Sequence, residues 1–161
     1  MISGLTLFTL VHVLISFVGI VSGCVVVYGL ITAKRLDRWT WLFLASTAAT
    51  TITGFLFPFN GFTPAVAVGI ISLLALIPTF LARYRFSLAG SWRWVYVVGA
   101  VFALYLNVFV LVVQAFLKVP ALHALAPKGS EPVFAVVQGT VLLAFVVAGT
   151  LSVQRFRPVL A

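Results

Sequence analysis

The groups in this chain best suited to chemistry are two histidines, two carboxylates and a scatter of amides and hydroxyls. His12 lies in the first apolar stretch, with Ser16 one helical turn further on. Thr50 and Thr51 lie in the second stretch, Asn107 and Gln114 in the fourth, and Gln138 in the fifth. Asn107 and Gln114 are seven apart, a spacing that places both on one helix face. Four separate segments therefore carry hydrogen-bonding groups at similar depth. Lipid cannot satisfy such groups, so they are expected to turn inward as a polar cluster near one end of a bundle. The cluster has two readings. Its members bond one another and hold the helices in register, or they line a pocket for a small hydrophobic ligand, with His12 the one titratable wall.

His12 and His123 form a second constellation. Paired imidazoles ligate haem, and a single imidazole can donate to a quinone carbonyl. Transmembrane haem ligands usually sit on facing helices, whereas His123 falls in the stretch 119–125 between apolar segments. A plain interfacial residue on a short amphipathic turn is the alternative for His123.

The absences narrow the function further. Asp37 and Glu131 both lie outside the apolar segments, and no Lys or Arg lies mid-span. Proton-coupled transporters, ion pumps and intramembrane aspartyl proteases need ionisable groups inside the membrane. Metal-dependent hydrolases need clustered His, Asp or Glu. There is no Gly-rich phosphate loop with its Lys, and no Ser-His-Asp set. No catalytic residue and no metal site is expected, and no resident cofactor beyond the quinone or haem alternatives at His12. Cys24 is alone, which excludes an intrachain disulfide. The residues before it resemble a lipoprotein cleavage box, but the apolar run continues past Cys24, so it reads as a small buried helix residue.

The elements that must position these groups follow from charge, proline and glycine. Five apolar segments are expected as helices, at about 5–33, 39–57, 64–82, 92–117 and 132–154. The first exceeds what a hydrocarbon core of about 30 Å needs and must tilt or project. The second is only just long enough. The uncharged loop that follows, with Pro58, Gly61 and Pro64, reads as a tight hairpin, with a re-entrant pair of half-helices as the alternative. Residues are 63% hydrophobic and 7% charged, with a mean hydropathy of +1.26. Soluble domains carry about a quarter charged residues, so the outer surface must face lipid. The chain is thus expected to be all-α, one integral membrane domain over residues 1–161, a five-transmembrane-helix bundle.

Charge orients it. Lys34, Arg35, Arg38, Arg83, Arg85, Arg93, Arg155 and Arg157 alternate correctly to share one side, leaving Lys118 and Lys128 on the other. The positive-inside rule then places the N-terminus outside and the C-terminus in the cytoplasm. Clustering of the basic residues between apolar runs also argues against nucleic acid as a partner. Trp39, Trp41, Trp92 and Trp94 all fall beside the basic loops, as an interfacial belt should. Gly19 and Gly23 have GxxxG spacing, which lets a second helix approach closely. Thr47, Thr50, Thr51 and Gly54 form a small-residue stripe on the second helix.

Several strings occur together: Thr53 to Phe59, Ala103 to Val110, Gln114 to Leu122, Leu125 to Pro127, and Ser130 to Pro132 with Phe134 and Gln138. Over most of its length the chain resembles a family of small uncharacterised bacterial inner-membrane proteins. The resemblance implies a multi-pass protein of the bacterial cytoplasmic membrane and transfers no activity. His123 lies outside the matching pattern.

The expected function is non-enzymatic: an accessory subunit, or a small hydrophobic-ligand-binding protein using the polar cluster. The alternatives are a quinone- or haem-binding redox subunit using His12, and an oligomeric passive transporter or channel. Partners in these readings are the lipid bilayer, further copies of the chain or a larger membrane complex, and a small hydrophobic ligand. Orientation is directly testable. Cysteines placed at Asn60 or Gly129 should react with an impermeant thiol reagent in sealed cells, one at Leu36 should not, and Cys24 should stay unlabelled. Labelling at Leu36 would reverse the topology.

Overall fold

The computed structural model describes residues 2–58 and 61–157, with side chains from residue 6 onward. Asn60, one of the labelling positions, lies outside the described residues. Among the described residues there are six α-helices: α1 (Ile2–Ile31), α2 (Asp37–Gly54), α3 (Pro64–Phe80), α4 (Trp92–Lys118), α5 (Pro120–Leu125) and α6 (Pro132–Arg155). There is no strand among the described residues. Among the described residues four spans are long and apolar enough to cross a membrane, at Thr6–Ile31, Pro64–Arg85, Trp92–Lys118 and Pro132–Arg155. Helix α2 has 18 residues, about 27 Å at 1.5 Å per residue, and carries Asp37 and Arg38 in its first turn. It is not among the four.

Local chemistry sets the helix ends. Thr63 caps α3 by accepting from the Val66 N–H at 3.3 Å, and Pro64 and Pro132 occupy first helical positions, where a missing N–H costs nothing. At the end of α1, Lys34 N–H reaches the Gly29 carbonyl (2.8 Å) and Ala33 N–H the Leu30 carbonyl (3.3 Å). This is a Schellman closure, and it holds Ala33 at φ 56°, a conformation in which alanine is strained. Glu131, just before α6, accepts from the Lys128 and Ser130 N–H groups, each at 3.0 Å. Desolvation acts to raise its carboxyl, but these backbone donors outweigh it and hold the group below the usual range. Arg93 donates from Nη1 to the carbonyls of Val153 (3.1 Å) and Phe156 (2.6 Å), satisfying the otherwise open C-terminus of α6.

Two local features escaped the sequence reading. A π-helical turn, Leu81–Arg85, extends α3 beyond Pro78, with Phe86 N–H bonded to the Leu81 carbonyl. Its extra residue rotates Ala82 and Arg83 into the bundle, where both are buried. The segment around His123 is a genuine short helix, α5, with no buried residue.

The long helices close a ring in the order α1–α2–α3–α4–α6, with α1 and α4 touching across it. Helix α4 is central. It buries Tyr96, Val97, Ala100, Val101, Ala103, Leu104 and Leu106, a face repeating every three to four residues. Against it pack Val26 and Leu30 of α1, Phe43 and Leu44 of α2, and Leu76 of α3. The tight part of the core therefore lies toward the end bearing the tryptophans, hereafter the tryptophan end. Helix α6 contributes little, with only Gln138 and Ser152 buried.

The glycine pair of α1 is where this packing becomes closest. A Cβ on Gly23 would lie 2.6 Å from Leu104 Cδ1 and 2.8 Å from Phe43 Cε2; one on Gly19 would meet Ser46 Oγ and Thr47 Oγ1 at 3.3 Å. The expected GxxxG contact thus has identified partners, α2 and α4 together. Gly99 plays the same part between α4 and Thr79 of α3. Cys24, expected to be buried, is instead exposed on the opposite face of α1. Gly23 points into the junction, so its neighbour along the helix, rotated about 100°, points out. Within the membrane such a thiol faces lipid, so it is still expected to escape an impermeant reagent.

Gly23→Leu forces a branched side chain into a filled junction. It should lower stability by roughly 1–3 kcal/mol or more, read as a fall in melting temperature of the detergent-solubilised protein. Cys24→Leu, on the exposed face of the same turn, should leave the melt unchanged.

Candidate functional site

The seven residues expected to converge do so only in part, and they converge in pairs. His12 of α1 is half-buried, with Nδ1 2.8 Å from Thr53 Oγ1 of α2. The Thr53 hydroxyl already donates to the Ala49 carbonyl at 2.7 Å, so the imidazole acts as donor and carries its proton on Nδ1. Nε2 is then left as a bare acceptor with no hydrogen-bond partner among the described residues. The ring is clamped by Phe57, edge to face at 5.0 Å, and Phe57 in turn packs against Phe8 at 4.8 Å. Gly54 lies beside the ring, where a Cβ would sit 3.8 Å from His12 Cε1, an ordinary contact.

Asn107 of α4 donates from Nδ2 to Thr47 Oγ1 of α2 at 3.0 Å. This bond crosses the Gly19 notch of α1, and a Cβ on Gly19 would lie 3.6 Å from Asn107 Nδ2. Three helices meet at one polar contact. Thr51 and Ser72 join α2 to α3 at 3.1 Å. Thr51 spends its hydrogen on the Thr47 carbonyl at 2.9 Å, so Ser72 is the donor. Gln138 of α6 donates to the Phe109 carbonyl of α4 at 3.2 Å, while its buried Oε1 has no partner.

Three residues depart from the expectation. Gln114 is exposed on the outside of α4 rather than facing the interior with Asn107. Seven residues on a helix of 3.6 per turn fall about 20° short of two turns. Near the end of α4, where the bundle loosens, that suffices to bring Gln114 out. Ser16 donates to the His12 carbonyl at 2.7 Å, a bond within its own helix that joins nothing. The Thr50 hydroxyl is buried and unpaired, because its neighbours Thr47 and Thr51 hold the positions that face α4 and α3. The residues missed were Thr47 and Ser72. Thr47 stood in the small-residue stripe, but nothing in the spacing told a packing threonine from an acceptor.

The two histidines do not form one site. His123 is exposed on α5 with Nδ1 3.2 Å from the Phe116 carbonyl, whereas His12 is held between α1 and α2. No group of three or more His, Cys, Asp or Glu able to hold a metal ion exists among the described residues. A hollow of about 400 Å³ lies along Thr6, Thr9, Leu10 and Val13 of α1, but it is open and includes none of the paired residues.

The interior polar groups therefore act as helix-to-helix bonds. Asn107→Leu should lower thermal stability by about 0.6 kcal/mol, the average for an interhelical hydrogen bond in a membrane bundle. Gln114→Leu, removing an exposed amide, should cost nothing measurable in the same melt. Equal losses for the two would show that the Asn107–Thr47 bond contributes nothing particular.

No family model matches the chain, and no curated protein or solved structure matches it either.

Proposed function

We propose that the chain is a non-enzymatic multi-pass protein of the bacterial cytoplasmic membrane that serves as a subunit of a larger membrane assembly. In this reading all five long helices cross the bilayer, with the N-terminus outside and the tryptophan end in the cytoplasm. The clustering of eight basic residues at that end supports the orientation. Helix α2 is short for a full span, and its exposed Arg38, Trp39 and Trp41 extend its reach into the interface.

One observation carries the functional reading. Most interior polar side chains already have partners, across helices at His12–Thr53, Asn107–Thr47, Thr51–Ser72 and Gln138–Phe109 and within their own helix at Ser16, Ser22, Ser46 and Thr79, so what the bundle offers another molecule is its surface. That surface is least complete at α6. Val136, Leu143, Val146 and Val147 are exposed, and Gly139 has nothing within 4 Å of where a Cβ would stand. Ala135 and Gly139 have the small-xxx-small spacing by which membrane helices approach each other. Lipid gains nothing from a glycine, whereas a helix backbone does.

His12 supports the second reading, a quinone- or haem-binding redox subunit, because Nε2 is unpaired on a ring otherwise held in place. The two readings separate on one preparation. Purified in mild detergent, the protein should be colourless and free of extractable quinone, and native mass spectrometry should find it in an assembly above the mass of one protomer. Gly139→Phe should dissociate that assembly without lowering the melting temperature. A monomer indifferent to the substitution would overturn the subunit reading, and a Soret band lost in His12→Leu would establish the redox one.

A further inference from the structure

One helix gives the bundle nothing to bury. Helix α5 has six residues, none of them buried, and no side-chain cap at its start. Its main contact is α4, the helix it follows. Its first turn closes through the Leu122 and His123 N–H groups, both on the Val119 carbonyl at 3.0 and 2.9 Å. Isolated helices shorter than about 12–15 residues are marginal in water, and most helices in proteins are held by packing an apolar face. The bundle buries no face of α5, so another medium must hold it.

The apolar face exists. At about 100° per residue, Ala121, Leu122 and Leu125 fall within an arc of about 100°, and His123 lies about 160° from Leu125. His123 fixes which way that face turns. Pro120 has no N–H, so the Phe116 carbonyl, four residues earlier, loses its helical donor. His123 Nδ1 stands 3.2 Å from that carbonyl. A carbonyl only accepts, so the ring donates to it. The ring thereby ties one side of α5 back to α4, and Leu125, on the other side, is 55% exposed.

Depth and charge identify what the face meets. Helices α4 and α6 are both long and apolar enough to cross a membrane. Helix α5 lies on the connection between them, so in the membrane it stands at a boundary. All four tryptophans belong to the opposite boundary, which leaves this one without that anchor. Lys118 and Lys128 flank α5, both exposed, and their charge complements anionic headgroups. Exposed leucine between lysines suits a helix lying in the plane of the interface.

We propose that α5 docks on the lipid surface, with Leu122 and Leu125 reaching into the headgroup–acyl boundary and His123 held back against α4. It anchors the end of α4 and the start of α6, the long helix least buried in the bundle. The inference rests on the membrane reading above but not on which side of the membrane this end faces.

The test uses the full chain carrying Cys24→Ser, reconstituted in vesicles of equal phosphatidylglycerol and phosphatidylethanolamine. A single nitroxide is attached through Leu125→Cys, Lys128→Cys or Leu143→Cys. Power saturation then compares collisions with oxygen, which enters the bilayer, and with a water-soluble nickel complex. The label at Leu125 should favour oxygen and read a depth of about 5–10 Å into the headgroup–acyl boundary. The label at Lys128 should favour nickel. The labelled Leu125 variant should also melt like the parent, because α5 buries nothing in the bundle. A nickel preference at Leu125 would place α5 in water, and poor access to both reagents would place it against protein; either result overturns the proposal. A lowered melt would make Leu125 part of the core and overturn it too. The membrane reading fails separately: Leu143, exposed on α6, should meet oxygen and exclude nickel, and nickel access there would sink that reading.

Discussion

The absence of side chains at Gly19 and Gly23 is what lets three helices meet. In lipid the helices gain little from leaving their solvent, so association depends on close van der Waals contact and on the few polar groups that must find partners. At Gly23 that contact admits Leu104 and Phe43 to distances a methyl group would forbid. At Gly19, one turn away, the same closeness sets the Asn107 amide 3.0 Å from the Thr47 hydroxyl. Apolar and polar contacts reinforce each other across two turns of one helix. A change that pushed α1 outward would cost both at once.

The two ends of the bundle are held by different physics. Toward the tryptophan end the interior is filled by branched and aromatic side chains, and charged groups finish the helices. Arg93 closes α6, and Asp37 ties α2 to the π-helical turn through Arg83. The opposite end is looser, with single hydrogen bonds and the Phe8–His12–Phe57 clamp in place of a dense core. The graded packing leaves α6 attached mainly through α4 and bare on its other side. A bundle built this way is densest at one end and bare along one helix.

Buried charge and buried amide differ in consequence. Gln138 leaves one oxygen unpaired beside a satisfied nitrogen, the ordinary imperfection of a helix interface. Arg83, its side chain 4% exposed, stays ionised and shares the Asp37 carboxylate with Arg35. The first costs a modest amount of stability; the second sets up a field.

Much of the architecture was determined by the residues in order. Runs of apolar residues bounded by charge and proline marked the helices. Helix α4 matched its expected bounds to within a residue and α6 likewise, because Pro132 and the basic residues stop helices through local chemistry. Gly19 and Gly23 announced a close contact for the same reason, since a missing side chain is visible in one dimension. Rotation was not. Whether Gln114 faces in or out, whether Cys24 lies on the packed side of its glycines, and which threonine receives Asn107 all depend on where a neighbouring helix stands. An apolar sequence with little amphipathic bias does not record its own azimuth, because lipid and a helix core reward the same side chains. The burial of Arg83 was the least legible feature of all. It required a proline-containing α3 to end in a π-helical turn, and an aspartate forty-six residues earlier in the chain to stand within reach. Those are facts of three helices meeting, and only the folded arrangement decides them.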